Sequence, residues 1–179
     1  EALLALHPSV ATLRAANDAY AALMAGFTSV REVAGYGVFL AAATEEGTLR
    51  GPSIHREGDA PSPTGGHADV HAFPLDVVHQ LLESKITSGI CDGVPECLKA
   101  VRKQLRLNAK VIKICASGGV MSEVDHPIHQ QFSDEELRAI VEEAARAERV
   151  VAAHCHGKPG MVAALNAGVK TIEHGTYLD

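Results

Sequence analysis

Apolar and polar positions follow two rhythms along the chain, one helical and one β-like. Residues 9–25 carry apolar side chains at helical spacing, and a β-branched run at 27–33 follows them. The same succession of a helix and a strand recurs along the chain. It predicts further helices at 37–46, 95–108, 133–149 and 159–167, and further strands at 53–57, 110–116, 150–156 and 170–174. Helices that alternate with apolar strands indicate an α/β fold with a parallel sheet of five strands.

One long connection, residues 58–94, interrupts this rhythm. It is rich in proline and glycine, so we expect no regular element to persist there. An open doubly wound sheet and part of a (β/α) barrel both fit the remaining pattern, and no GxGxxG or P-loop motif favours the former. No linker or low-complexity tract divides the chain, so residues 1–179 are interpreted as a single segment.

Composition narrows the possible partners. The formal net charge is −6, with 22 acidic residues against 16 Lys and Arg, and this balance argues against nucleic acid or an anionic membrane as partner. No stretch approaches the roughly 18 apolar residues that a membrane helix needs. A Cys91–Cys97 disulfide is one option, but four cysteines without a CxxC pair favour a reducing compartment, and the cytoplasm is slightly preferred.

The candidate chemistry lies at the ends of strands. His154 and His156 close one predicted strand and His174 closes the next. Because parallel strands deliver side chains to one edge of a sheet, these imidazoles can meet at a metal ion. For any one of them alone, a hydrogen-bonded histidine at a strand end is the simpler interpretation.

Lys113 lies in the middle of the apolar strand VIKIC, on the face opposite Ile112 and Ile114. A lysine inside a buried strand is costly unless it is paired, neutral, modified or functional, and a tilted strand that lets it reach solvent is the structural alternative. Its amine can form a Schiff base with a carbonyl substrate, or take up carbon dioxide to give a carbamate that bridges two metals. The neighbouring histidines favour the metal-binding alternative.

Six ordered motifs resemble the metal-dependent amidohydrolase superfamily. They are GFTSVREVAGYG (26–37), PTGGHAD (63–69), KVIKICASGGV (110–120), QFSDEELRAIVEEA (131–144), VVAAHCHG (150–157) and TIEHGTY (171–177). The resemblance is to the branch with fungal ochratoxin-hydrolysing amidohydrolases, X-Pro-type dipeptidases and imidazolonepropionase relatives. It implies a (β/α)8 TIM barrel of which this chain represents strands two to six.

The resemblance also implies site residues and cofactors. Lys113 resembles the carboxylated lysine that bridges two divalent metals, usually zinc, and His154 and His174 resemble metal ligands. His67 and His156 resemble substrate contacts, and His156 also occupies a position that can polarise the substrate carbonyl. The His-x-His pair of strand one and the general-base Asp of strand eight are expected outside this chain, which would make it a segment of a longer enzyme.

The implied activity is metal-assisted hydrolysis of C–N bonds in small N-acyl amino acids or dipeptides, including ochratoxin-like amides. Cyclic-amide hydrolysis, a Schiff-base lyase, and an inert truncated or split-barrel fragment remain alternatives. The expected partners are the small amide substrate and the rest of the same barrel, with a homo-oligomer left open.

Other polar features have no motif support. The remaining histidines are interpreted as structural or surface residues: His7, His55, His71, His79, His126 and His129. The backbone N–H groups of Ser117, Gly118 and Gly119 can hold an anion, although a turn after the strand explains these glycines equally well.

Overall fold

Helices and strands alternate along the chain, as the two rhythms predict. The computed structural model describes residues 6–33, 35–84 and 89–178. The elements in chain order are α1 (Pro8–Met24), β1 (Ser29–Glu32), α2 (Gly37–Glu45), β2 (Ser53–Arg56), α3 (Leu75–Ser84), α4 (Gly93–Arg106), β3 (Val111–Cys115), α5 (Asp134–Arg146), β4 (Val150–Cys155), α6 (Lys158–Ala167) and β5 (Thr171–His174). None of the described helices combines the length and the apolar character needed to cross a bilayer.

All ladder pairings between the named strands are parallel, and the strands form two sheets, not one continuous sheet. β1 pairs with β2, and β3, β4 and β5 form a second sheet in that order. The two sheets touch where Lys110 N–H donates to the Arg56 carbonyl at 2.8 Å and Cys115 N–H donates to the Pro61 carbonyl at 2.9 Å. Between these contacts Gly58 has a φ of +77°, which interrupts the extended backbone after β2.

The two faces of the second sheet differ in character. Ile112, Ile114 and Val151 point toward the helices and belong to a buried apolar cluster with residues of α4, α5 and α6. The register places Cys115, His154 and Glu173 in one row on the opposite, inner face. The helix-facing side therefore supplies the hydrophobic core, and the inner face is free to carry polar groups.

The long connection contains a helix that sequence reasoning missed. The prediction that no regular element persists in 58–94 is wrong, because α3 occupies Leu75–Ser84. The prolines and glycines of this connection lie on either side of the helix, and Val78 is 1% exposed. A short run without helix breakers, which starts directly after Pro74, was hidden among residues that favour loops.

Two local predictions concern a helix cap and a disulfide. The capping box of α5 is confirmed, since Ser133 Oγ accepts from Glu136 N–H and Glu136 Oε2 accepts from Ser133 N–H. The disulfide option is not realised, because Cys91 and Cys97 are free thiols with sulfurs 3.6 Å apart. That separation is well beyond the roughly 2.05 Å of a bonded pair.

Charged side chains connect the two sheets across the inner face. Arg31 of β1 lies 3.0 Å from a carboxylate oxygen of Glu57 and donates to Glu173 of β5 at 2.5 Å and to Thr171 at 3.3 Å. The Glu57 side chain is fully buried, and neither of its oxygens has a directed hydrogen bond among the described residues. Burial raises the pKa of Glu57, and the charges of Arg31 and Lys113 act against that shift. Arg31 thus links the first and last described strands directly.

The Arg31 pairing predicts a measurable stability difference. Arg31→Met should lower the free energy of unfolding by about 2 kcal/mol, below the roughly 3–5 kcal/mol of a fully buried pair, because 36% of the Arg31 side chain reaches solvent. Adding Glu57→Gln should recover part of the loss, since it removes the carboxylate left without Arg31. Urea unfolding of the single and double variants measures both effects.

Arg102→Met is the matched control. Arg102 pairs with Glu143 but its side chain is 62% exposed, so its loss should lower the free energy of unfolding much less than the loss of Arg31. Equal losses for Arg31→Met and Arg102→Met would contradict a special role for the link between the sheets.

Candidate functional site

Four histidine rings converge at the carboxyl ends of the strands. His67 follows β2 in the long connection, His154 lies near the end of β4, His156 follows β4, and His174 ends β5. The ring centroid of His154 lies 4.3 Å from that of His67, 4.6 Å from that of His156 and 4.7 Å from that of His174. His154 is therefore the centre of the cluster, and the sequence prediction that these strand ends meet is confirmed.

His174 reaches the cluster through an unusual backbone conformation. Its register partner in β4 is Cys155, which is buried in the apolar cluster on the helix-facing side. Regular alternation would direct the His174 side chain to that same side. Its φ of +72° breaks the alternation, and the ring instead lies 5.0 Å from that of His156. Such a conformation costs of order 1–3 kcal/mol for a residue other than glycine and is typical of functional sites.

The turn after β3 contacts three of these histidines. Ser117 Oγ accepts from the backbone N–H of His156 at 2.8 Å, and the Gly118 carbonyl accepts from His154 Nε2 at 3.1 Å. A Cβ on Gly119 would lie 2.0 Å from the His67 ring, so only glycine fits against that ring. Because a carbonyl oxygen only accepts, His154 carries its proton on Nε2 and keeps the Nδ1 lone pair available.

The same turn does not provide a nest for an anion. Gly118 N–H donates to the His129 carbonyl, and Gly119 N–H donates to Asp125 Oδ2 at 3.1 Å. Ser117 N–H is directed to the His154 carbonyl at 3.3 Å. The anion interpretation of this segment is therefore wrong, and the glycines serve the close approach of backbone and side chains.

Lys113 lies on the inner face below the histidines. It is 5% exposed, so the alternative that a tilted strand carries it into solvent is wrong. The strand register pairs Lys113 with Ala152 of β4, two residues before His154 and therefore on the same face of the sheet. The positive charge of Lys113 contributes a lowering effect to the pKa of each of three neighbouring groups, Glu57, Glu173 and His67.

The environment keeps the central imidazoles neutral. Burial lowers the pKa of His154 to about 3, and the neighbouring histidines act in the same direction against the hydrogen bond to the Gly118 carbonyl. Burial also lowers the pKa values of His67 and His156. Neutral imidazoles are the form that binds a metal ion.

The donor set can hold a divalent ion. His154, His156 and His174 each offer a ring nitrogen, and these atoms all lie within 4.8 Å of one another. The side chains of His156 and Thr176 are hydrogen-bonded at 2.8 Å between Nδ1 and Oγ1, which fixes the orientation of the ring. The sequence predicts that His156 contacts substrate. In the structure its ring nitrogen lies within 4.8 Å of those of His154 and His174, the two expected histidine ligands, so its position is also compatible with metal binding.

The histidines without motif support lie apart from this donor set. His126 and His129 form a pair with ring centroids 5.1 Å apart in the loop before α5, and His7 caps α1 by accepting from Ser9 N–H. His55 and His79 are exposed. His71 is half-buried and lines a small cavity of about 220 Å³ next to His67.

Sequence reasoning missed several polar residues around the site. Arg31 and Glu173 carried the same signal as Lys113, a charged residue inside a β-branched strand. Asp125 and Gln131 carried no comparable signal, because they lie in irregular segments where charge and amide groups are ordinary. Glu57 was the last residue of the strand predicted at 53–57, and in the structure it lies just beyond β2.

Comparison with known proteins identifies the family. The model of the Amidohydrolase family matches residues 2–179. The ochratoxinase of Aspergillus niger is 47% identical over 185 aligned positions, which cover 98% of this chain and 38% of that protein. Its crystal structure superposes with a TM-score of 0.91 and 46% identity, over 99% of this chain and 43% of that one.

A crystal structure of a Xaa-Pro dipeptidase with methionine bound in its active site is also similar, with a TM-score of 0.81 and 35% identity. That match covers 92% of this chain and 41% of the dipeptidase chain. The chain thus spans about 40% of the length of the relatives it matches, as expected for part of a TIM barrel. By sequence over nearly its whole length and by fold, the chain belongs to the Amidohydrolase family.

Proposed function

We propose that the protein of which these residues are a part is a metal-dependent hydrolase of amide or peptide bonds in small N-acyl amino acids or dipeptides. The carrying observation is the convergence of four imidazoles at the carboxyl ends of parallel strands, on the same inner face as the buried Lys113. Family membership supports C–N hydrolysis, and the names of the relatives, an ochratoxinase and a Xaa-Pro dipeptidase, support an amide next to an amino acid as the scissile bond.

The residues fit a centre of two divalent metal ions, with zinc as the proposed metal. Lys113 as its carbamate, His154 through Nδ1, and His174 are the proposed ligands. The available Nδ1 lone pair of His154 and its lowered pKa, which keeps the ring neutral, support this assignment. When bound, such ions acidify a water molecule and polarise a carbonyl oxygen.

The other two histidines are proposed to bind and orient the substrate. His156 is held through Nδ1 by Thr176, so its Nε2 is directed elsewhere and can donate to the substrate carbonyl. His67 is held through Nδ1 by Ser122 at 2.8 Å, which leaves its Nε2 for a second substrate contact. The proton of the attacking water would pass to a general-base Asp outside this chain.

A substrate panel tests the proposal. The complete protein, loaded with zinc, is assayed for hydrolysis of ochratoxin A, an Xaa-Pro dipeptide, an N-acetyl amino acid and an imidazolone. We expect hydrolysis of at least one of the three linear amides. Hydrolysis of the imidazolone alone would replace the linear-amide assignment by cyclic-amide hydrolysis, and no hydrolysis with full zinc occupancy would overturn the proposal.

Substitution of Lys113 tests the bridging role. Lys113→Ala in the complete protein should lower kcat/KM by at least about 100-fold and reduce the zinc content, because the anionic bridge is lost. Added acetate or propionate should restore part of both, by supplying a carboxylate to the vacated space. Lys110→Ala is the matched control, since Lys110 directly precedes the same strand and its ammonium donates to Asn108 Oδ1 at 3.1 Å. Full activity of Lys113→Ala would refute the bridging role.

Acid should destabilise the zinc-free protein before its carboxylates titrate. Because His154, His67 and His156 have lowered pKa values in the fold, the unfolded chain binds more protons below about pH 6.5, and the stability present above that pH is lost as the pH falls. For His154 this loss continues toward pH 3. The pKa of Glu57 is raised in the fold, so its contribution to the stability grows as the pH falls and offsets part of this loss.

Urea unfolding of chelator-treated protein between pH 7 and pH 5 measures this effect. His154→Gln should reduce the pH slope of the unfolding free energy by about one proton, since one depressed imidazole is removed. His79→Gln replaces an exposed histidine and serves as the control. Identical slopes for wild type and His154→Gln would show that His154 is not held neutral.

A further inference from the structure

The loop between β3 and α5 is closed on itself by hydrogen bonds. Ser117 and Gln130 form an antiparallel bridge at its base, and Gln131 N–H donates to the Ala116 carbonyl at 3.0 Å. Inside the loop, Asp125 Oδ2 accepts from Gly119 N–H at 3.1 Å and from Gln131 Nε2 at 2.7 Å. One carboxylate oxygen therefore joins the start of the loop to its end.

Gln131 extends this connection to the turn that carries His67. Its Oε1 accepts from the backbone N–H of His67 at 3.1 Å, while its Nε2 donates to Asp125. Both ends of the amide are thus used, which fixes its orientation. From the same loop, Ser122 Oγ lies 2.8 Å from His67 Nδ1. The backbone and the ring of His67 are both attached to this one loop.

The position of the His67 ring has little freedom. On one side Gly119 leaves no room for even a methyl group, because a Cβ there would lie 2.0 Å from the ring. His154 provides a second contact, stacking on the His67 ring with centroids 4.3 Å apart and planes inclined by 21°. A shift of Gly119 therefore moves the wall against which the His67 ring rests, and Asp125 is the side chain that holds Gly119 by its N–H.

We propose that Asp125 is a positioning residue for substrate binding, which acts through Gly119 and Gln131 to hold His67 over His154. This inference rests on the proposed function, in which His67 contacts substrate. Asp125 and Gln131 do not touch the substrate themselves, so their loss should weaken substrate binding more than it slows the chemical step. The negative charge of Asp125 also raises the pKa of His67 against the effect of burial, in keeping with its closeness.

Kinetics of Asp125 variants test the proposal in the complete, zinc-loaded protein, with ochratoxin A as the probe. Asp125→Ala should raise KM about tenfold and leave kcat within about threefold, because misplacement of His67 costs binding energy. Asp125→Asn should stay within about threefold of wild type in KM, since its single carbonyl oxygen can accept from both donors. Val124→Ala, at an adjacent side chain that is 70% exposed, is the control and should change nothing.

A double-mutant cycle separates positioning from general damage to the fold. His67→Ala alone should raise KM about tenfold, and adding Asp125→Ala to it should raise KM by less than about twofold, because the group being positioned is already gone. Gln131→Met, which removes both hydrogen bonds at similar size, should behave like Asp125→Ala. Additive effects of Asp125→Ala and His67→Ala would overturn the proposal.

Crystal structures of wild type, Asp125→Ala and Val124→Ala give a readout that does not depend on hydrolysis. We expect the His67 and His154 rings to separate beyond about 6 Å in Asp125→Ala and to remain stacked in Val124→Ala. If the wild type hydrolyses nothing but the rings separate, the proposed function fails while the role of Asp125 in holding His67 stands. If the stack is unchanged in Asp125→Ala, the positioning role is refuted whatever the activity.

Discussion

The close passage of the Gly118–Gly119 backbone through a cluster of side chains is the constraint on which the site depends. A Cβ on Gly118 would lie 2.2 Å from the His126 carbonyl oxygen, and one on Gly119 would lie 2.0 Å from the His67 ring. A side chain at Gly118 would push the turn away from the strand ends, and one at Gly119 would displace either the turn or the His67 ring. The Gly118 carbonyl could then no longer accept the hydrogen bond from His154 Nε2, and the stacking of His67 on His154 would be disturbed. The tautomer of His154, a proposed ligand, and the position of His67, a proposed substrate contact, thus both depend on glycine at positions 118 and 119.

The fold could be predicted from the sequence wherever periodicity was uninterrupted. The strand around Lys113 and the capped helix that starts after Ser133 were predicted closely, because a strong apolar pattern and a local cap determine them without reference to distant residues. The helix at Leu75–Ser84 was missed because its short run is surrounded by prolines and glycines. The division into two sheets was also missed, because nothing in the local sequence indicates that the chain leaves the extended conformation after β2, where Gly58 has a positive φ.

The candidate site was predictable only where the strand pattern already determined which way a side chain points. Lys113 and His154 were found because a charge or an imidazole in an apolar strand stands out. The convergence of His174 was predicted for too simple a reason: strand alternation would turn its ring toward the helices, and its positive φ is what directs the ring inward. Asp125 and Gln131 could not be found at all, because loop hydrogen bonds between distant segments leave no periodic trace in a sequence.

The charges on the inner face explain why the helix-facing side must supply the stability of this segment. A barrel interior is ordinarily filled by branched apolar side chains. Here the inner wall carries Lys113, Arg31 and Glu57, and both oxygens of Glu57 lack a directed hydrogen bond among the described residues. A buried carboxylate oxygen without a directed hydrogen bond costs about 1–3 kcal/mol, so this wall, even with Arg31 beside Glu57, stabilises the fold less than an apolar wall would. The buried cluster around Ile112 and Ile114 offsets that cost. The strands thus carry apolar side chains on the helix-facing side and charged side chains on the inner face, an arrangement that suits the proposed binding of ions and polar ligands.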